Sequence, residues 1–193
     1  MTEDQHELNE DWFWAIVQRS LDASGGDRQK QNEAIAEELR GLSEEELAFF
    51  VRFHFALCEA GYNLDLWGAL CLITGGCSGE QLWCFLGWLI GCGRKWFKSA
   101  LRHPDDLADY PENLNGRGEW GEEFARVAYE IHLEKFEYYP EAELWPGGGA
   151  PVEGEPWESK EEVFRARWPK LYARYWNRWP VEEGEGGAAA GGN

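Results

Sequence analysis

The segment over residues 82–101 is the sequence feature that most constrains the fold. Its apolar side chains recur at steps of three and four residues, which places them along one face of a helix. Trp83 and Trp88 lie off that face, so the helix is apolar nearly all round. Such a helix must be covered on every side by other elements. We therefore predict one continuous helix over residues 82–101 at the centre of the fold.

Helix signals are frequent along the rest of the chain, and strand signals are few. Helical spacing predicts further helices over residues 11–21, 27–39 and 121–136, a helix from Ser43 to Gly61, and a helical start at Pro169. Residues 65–73 fit either a buried strand or a buried helix, and we favour the helix because alternation is absent and the neighbouring segments are helical. Capping boxes, in which a serine and a Glu or Gln three residues later bond the helix start, are predicted at Ser43, Ser78 and Ser159. We predict an all-α protein: a single-domain helical bundle over residues 1–180, with an ordered long loop. The Gly-, Ala- and Glu-rich residues 181–193 are predicted to be a disordered acidic tail.

Composition and charge limit the classes of partner. The 193 residues are 44% hydrophobic and include 12 tryptophans, which is enough to build a core. Acidic residues outnumber basic ones by 36 to 18, and the formal net charge of -18 repels nucleic acid and anionic lipid. The longest apolar run, residues 82–93, is shorter than the roughly 20 residues that cross a membrane. We expect neither a nucleic-acid partner nor a membrane partner.

The cysteines indicate a reducing compartment. Their number is odd, most lie in apolar segments, and the first ten residues are acidic and polar instead of forming a secretory signal. We therefore predict reduced thiols and a cytoplasmic location. The spacing of the cysteines does not fit a Cys-x-x-Cys metal knuckle, and we expect no metal and no cofactor. The five residues are Cys58, Cys71, Cys77, Cys84 and Cys92.

Residues 75–79 carry the most distinctive turn of the chain, Gly-Gly-Cys-Ser-Gly. The pattern fits a nucleophile elbow, which makes Cys77 a candidate catalytic residue with a histidine base. Such an elbow needs a preceding strand, and the helix favoured over residues 65–73 does not supply one. The favoured interpretation is a junction in which a helix ends on the glycines and Ser78 caps the next helix.

Two charged residues lie in apolar surroundings, Asp65 and Arg94. One interpretation is structural: Asp65 caps its helix, and Arg94 pairs with an acidic residue. The other is functional, because a partly buried arginine and a carboxylate near Trp67 would suit a ligand pocket. The predicted ligand-binding residues are Asp65, Trp67, Gly75, Gly76, Cys77, Ser78, Trp88 and Arg94.

Cations and aromatic residues alternate over residues 165–179. This alternation is typical of a stacking platform for single-stranded nucleic acid, but it also fits an amphipathic helix with cations on its solvent side. The strongly acidic charge of the chain favours the helix.

The segment over residues 65–107 resembles a known family. It contains D-L-W-G-A, then G-G-C-S, then W-L-I-x-x-G-R-x-x-[FY]-x-x-A-L and Pro-Asp. Together with the early Phe13-Trp14 pair and a late Pro169, Leu171 and Tyr175, this pattern is similar to the bacterial domain-of-unknown-function 4240 family, common in actinomycetes. The resemblance implies a one-domain helical protein and brings no known activity. The chain departs from the family pattern at Gly79-Glu80 and at Gly87, where acidic residues and an arginine are usual.

The sequence therefore leads to one main hypothesis and two alternatives. The main hypothesis is a non-catalytic binding or regulatory module that recognises an unidentified protein or small-molecule partner near the Gly-Gly-Cys-Ser turn. The first alternative is an enzyme with a Cys77 nucleophile and a histidine base, for which His54, His103 and His132 are candidates. The second is an acidic decoy that binds basic proteins or mimics nucleic acid.

Overall fold

The described part of the chain consists of helices joined mostly by short turns. The structure, a computed structural model, describes residues 8–111, 114, 122–138 and 152–178. The α-helices are α1 (Glu10–Ser24), α2 (Arg28–Arg40), α3 (Glu44–Gly61), α4 (Leu64–Thr74), α5 (Gly79–Gly91), α6 (Arg94–Arg102), α7 (Glu122–Phe136), α8 (Glu161–Arg167) and α9 (Pro169–Tyr175). Two 3₁₀ helices cover Pro104–Asp109 and Trp176–Arg178.

The all-α prediction is confirmed. Within the described residues the only strand-like pairing is an isolated parallel bridge between Asn63 and Glu153. The predicted tail over residues 181–193, and the part of the long loop over residues 139–151, lie outside the described residues.

Capping residues account for where several helices begin. The side chain of Asp27 accepts a hydrogen bond from the Lys30 amide at the start of α2. Ser43 and Glu46 form the predicted capping box at the start of α3. The box predicted at Ser159 is wrong, since α8 begins after Lys160 without a side-chain cap.

Helix α5 is the central apolar helix. It packs against α1, α3, α4, α6 and α7, so that neighbours cover it on several sides. This placement confirms the bundle around an apolar helix. Its buried side chains include Leu82, Phe85, Leu86, Trp88, Leu89 and Ile90.

The predicted continuous helix over residues 82–101 is wrong, because the chain breaks after Gly91 and restarts at Arg94. Gly93 has a φ of 93°, a left-handed backbone conformation that glycine tolerates and other residues rarely adopt. The carbonyl oxygen freed at Gly91 accepts a hydrogen bond from the buried Gln31 amide, with 2.7 Å between the atoms. The apolar spacing runs through the break because α5 and α6 bury their apolar faces in the same core.

Residues 161–178 form two short α-helices and a 3₁₀ helix instead of the one amphipathic helix considered for residues 165–179. The chain turns at Trp168, and Pro169 opens α9, which packs on α4 and on the 3₁₀ helix Pro104–Asp109. The basic side chains bind neighbouring acids: Arg165 pairs with Glu161, and Lys170 with Asp106 and Asp109. The buried aromatic side chains of this segment are Phe164, Trp168 and Tyr175.

Candidate functional site

The turn between α4 and α5 is built by two glycines. Gly75 and Gly76 have φ values of 79° and 114°, and their amides both donate to the carbonyl oxygen of Cys71, over 2.8 and 2.9 Å. This arrangement ends α4 and folds the chain back over its last turn. We call residues 75–78 the glycine turn.

Ser78 is the N-cap of α5. Its hydroxyl accepts from the Gln81 amide over 3.2 Å, and its own amide donates to the Gln81 side-chain oxygen over 2.8 Å. Both halves of the predicted capping box are therefore present, and they commit Ser78 to starting α5.

Cys77 is held against α4 by Trp67. The Trp67 indole nitrogen donates to the Cys77 carbonyl oxygen over 3.1 Å, and the Cys77 thiol lies 3.8 Å from the Trp67 carbonyl oxygen. The Cys77 sulfur also lies 2.8 Å from the sulfur of Cys71. The contact with Cys71, followed by burial, raises the pKa of the Cys77 thiol above its ordinary value. A cysteine that is activated as a catalytic nucleophile at neutral pH has the opposite shift, a lowered pKa.

No described histidine is a partner of Cys77. The ring of His54 is buried in α3, where Nδ1 lies 4.0 Å from the sulfur of Cys58. The Nδ1 atom of His132 lies 2.9 Å from the carbonyl oxygen of Tyr138. His103 is exposed between α6 and the 3₁₀ helix that follows it. The residues that contact Cys77 thus supply no general base for the enzyme hypothesis.

Three half-buried aromatic side chains lie beside the glycine turn. The ring centroid of Tyr62 is 5.8 Å from that of Trp67 and 6.1 Å from that of Trp83. Trp83 in turn packs on Phe55, at 5.3 Å. Together Tyr62, Trp67 and Trp83 form what we call the aromatic surface. Their partial exposure leaves part of each ring available to a partner.

The other predicted ligand residues lie elsewhere. Asp65 forms an ion pair with Arg167 of α8, and its helix is capped by Asn63 and not by Asp65. Trp88 is 4% exposed, and the guanidinium of Arg28 lies 4.7 Å from its ring. These contacts give Asp65 and Trp88 partners within the fold.

Arg94 is also remote from the glycine turn. It pairs with Asp11 and Glu10 of α1, over 2.6 and 3.3 Å. The glycine turn and Arg94 flank the 13 residues of α5, which is about 20 Å long at 1.5 Å per residue. The structure therefore brings Trp67, Cys77 and the glycines together, and it separates them from Arg94.

Sequence reasoning missed Cys71, Tyr62 and Trp83. A signal existed for Cys71, since a Gly-Gly reversal after a helix returns the chain to the helix's last turn, where Cys71 lies. Tyr62 and Trp83 belong to different helices, and no spacing rule joins them to the turn.

Neither a metal-binding cluster nor a membrane-spanning helix is found among the described residues. Over residues 8–111, 114, 122–138 and 152–178, three or more His, Cys, Asp or Glu side chains nowhere converge in a way that would hold a metal ion. Among the same residues, no helix is both long and apolar enough to cross a membrane.

The fold defines an all-α protein built around the central apolar helix α5. A family model described as "Protein of unknown function (DUF4240)" matches residues 8–137. The chain belongs to this family, which confirms the resemblance seen in the sequence. No curated protein and no solved structure matches the chain.

Proposed function

We propose that this protein is a non-catalytic binding module whose recognition surface is the aromatic surface beside the glycine turn. The observation that carries the proposal is the cluster of three half-buried rings in which Tyr62 packs against both Trp67 and Trp83. Tryptophan and tyrosine contribute most of the binding energy in many protein interfaces, because they bury much area with few rotatable bonds.

Charge favours a basic partner. The chain carries a net charge of -18, and the exposed side chains of Glu59 and Glu80 lie close in sequence to Tyr62 and to the glycine turn. Exposed carboxylates near aromatic rings suit lysine and arginine side chains, which stack on aromatic faces and pair with carboxylates. The partner we propose is therefore a basic segment of another protein.

The rigidity of the turn also supports a binding role. Trp67 is fixed by its hydrogen bond to Cys77, and Ser78 is fixed by its cap. A surface held in one conformation before binding loses less entropy when a partner docks.

The location and origin proposed for the protein come from the sequence. We propose a cytoplasmic protein of bacterial, and specifically actinomycete, origin. The free thiols of Cys58, Cys71 and Cys77 are in keeping with a reducing compartment.

Isothermal titration with a synthetic peptide of alternating lysine, arginine and glycine tests the binding role. We expect Trp67→Ala and Trp83→Ala to weaken binding about tenfold, which corresponds to about 1.4 kcal/mol per ring. Trp12→Ala is the matched control, because Trp12 is also half-buried but packs on Phe49 in another part of the fold.

The control peptide has the same length and carries glutamate in place of the cations. Circular dichroism checks that each variant is folded. If the three folded tryptophan variants bind the basic peptide with equal affinity, the aromatic surface has no recognition role.

A further inference from the structure

Two thiols meet at the end of α4. The sulfur atoms of Cys71 and Cys77 lie 2.8 Å apart, and both residues are free cysteines. Cys71 is 4% exposed and Cys77 is half-buried, so small reagents reach the pair from the Cys77 side. A disulfide bond of about 2.05 Å requires only a small side-chain movement from this position.

The backbone holds the two thiols together. The amides of Gly75 and Gly76 both bond the carbonyl oxygen of Cys71, and Trp67 bonds the carbonyl oxygen of Cys77. The approach of the sulfurs is thus a property of the folded turn and needs no ligand. Groups held in this way react as if at very high local concentration.

The other cysteines have different surroundings. Cys58 is buried against His54, and Cys92 accepts a hydrogen bond from the Tyr110 hydroxyl over 3.2 Å. Burial raises the pKa of the Cys58 thiol, which keeps it protonated.

We propose that Cys71 and Cys77 are an oxidation site that forms a reversible intramolecular disulfide with hydroperoxides as the oxidant class. In the first step, the Cys77 sulfur attacks the peroxide O–O bond and becomes a sulfenic acid, and one water leaves when the peroxide is hydrogen peroxide. In the second step, the Cys71 sulfur displaces the hydroxyl group of Cys77–SOH, which leaves as a second water. In total the two thiols lose two protons and two electrons, and the peroxide gains them. A dithiol reductant reverses the reaction by thiol–disulfide exchange.

This oxidation fixes the turn that borders the aromatic surface, but it does not require that surface to bind a partner. Since the raised pKa of Cys77 leaves little thiolate at neutral pH, we expect slow oxidation by millimolar peroxide rather than the fast response of a low-pKa peroxide sensor.

Peptide mapping tests the disulfide directly. The folded full chain is treated with hydrogen peroxide, its remaining thiols are alkylated, and it is cleaved after glutamate without reduction. Cleavage after Glu59 and Glu80 gives a peptide of residues 60–80, which contains Cys71 and Cys77 and no other cysteine. We expect this peptide to become lighter by the mass of two hydrogens, to escape alkylation, and to regain both thiols after treatment with dithiothreitol.

Variants assign the bond. Cys71→Ser and Cys77→Ser should each abolish the lighter peptide, while Cys84→Ser should leave its yield unchanged. Two outcomes would overturn the proposal, and both are read from the wild-type chain. In one, residues 60–80 keep two alkylatable thiols while other cysteines oxidise. In the other, Cys77 proceeds to a sulfinic acid without a disulfide.

Discussion

The indole nitrogen of Trp67 donates a hydrogen bond to the carbonyl oxygen of Cys77, with 3.1 Å between the two atoms. This bond joins the first half of α4 to the glycine turn that follows the helix, and it fixes a ring of the aromatic surface. The same contact brings the Cys77 thiol to Cys71. One hydrogen bond thus links the proposed recognition surface and the proposed oxidation site.

Trp67→Phe should lower the free energy of unfolding by about 1 kcal/mol, the net contribution of one intramolecular hydrogen bond. Phenylalanine keeps an aromatic ring and removes the donor. Urea unfolding measures the change, and Trp12→Phe is the control, since Trp12 makes ring contacts with Phe49 and Phe50. Equal losses in the two variants would show that the Trp67 bond adds no stability.

Gly68→Ala should destabilise the fold by about 2 kcal/mol through overpacking. A Cβ atom at Gly68 would collide with the ring of Trp168 and come within 2.8 Å of the Trp157 indole nitrogen. Trp168 is 2% exposed and has little space to move. Gly41→Ala is the control, because Gly41 has ordinary helical backbone angles at the end of α2. If thermal unfolding gave Gly68→Ala the same midpoint temperature as the wild type, this packing would be contradicted.

Asp105 should contribute about 1 kcal/mol by capping α9 from a distant part of the chain. Its carboxylate oxygens accept from the amides of Lys170 and Leu171, over 3.1 and 2.9 Å. Chemical denaturation of Asp105→Ala measures the loss. Asp109→Ala should cost less, since Asp109 only pairs with the exposed Lys170 side chain. A larger loss for Asp109→Ala than for Asp105→Ala would show that the cap is not the main contribution.

The stability of the protein should fall as the pH is lowered through a window set by His54. Burial lowers the pKa of His54 from 6.5 to about 4 in the folded state. Below pH 6.5 the unfolded chain binds a proton that the folded chain excludes, so the free energy of unfolding decreases until pH 4. Above pH 6.5 this contribution to stability is fully present. The total loss is about 3 kcal/mol, at about 1.4 kcal/mol per pKa unit.

Urea unfolding at pH 7, 5.5 and 4.5 separates this effect from the titration of carboxylates. The pH dependence of His54→Leu should be shallower than that of the wild type, by about 1.4 kcal/mol at pH 5.5. His103→Gln is the control, because His103 is exposed. Parallel wild-type and His54→Leu curves would mean that the buried ring is not the titrating group.

Local sequence signals predicted most of the fold. The caps at Asp27, Ser43 and Ser78 and the all-helical character are local properties, and the structure confirms them. The break after Gly91 was not predicted, because apolar spacing shows only which side of a helix is buried. The buried residues of α5 and α6 belong to the same core, so the three- and four-residue spacing continues across the break. A Gly-Cys-Gly sequence inside an apolar run is the available warning.

The candidate site was predicted only in part, for a related reason. Trp67 and Cys77 are close in sequence, and the turn at the end of α4 brings them into contact. Asp65 and Arg94 find partners in Arg167 and in Asp11, which lie far away along the chain. A sequence pattern shows that such charges need partners, but only the folded chain shows which ones they have.

The most direct test of the binding surface is a two-dimensional NMR titration of the tryptophan indole N–H signals with the basic peptide. The indole signals of Trp67 and Trp83 should shift most, and those of Trp12 and the buried Trp88 should remain near their starting positions. Shifts concentrated away from Tyr62, Trp67 and Trp83 would contradict the aromatic surface as the recognition site. One such alternative location is the polar groove between α2 and α7, which is lined by Glu33, Arg40 and Arg126.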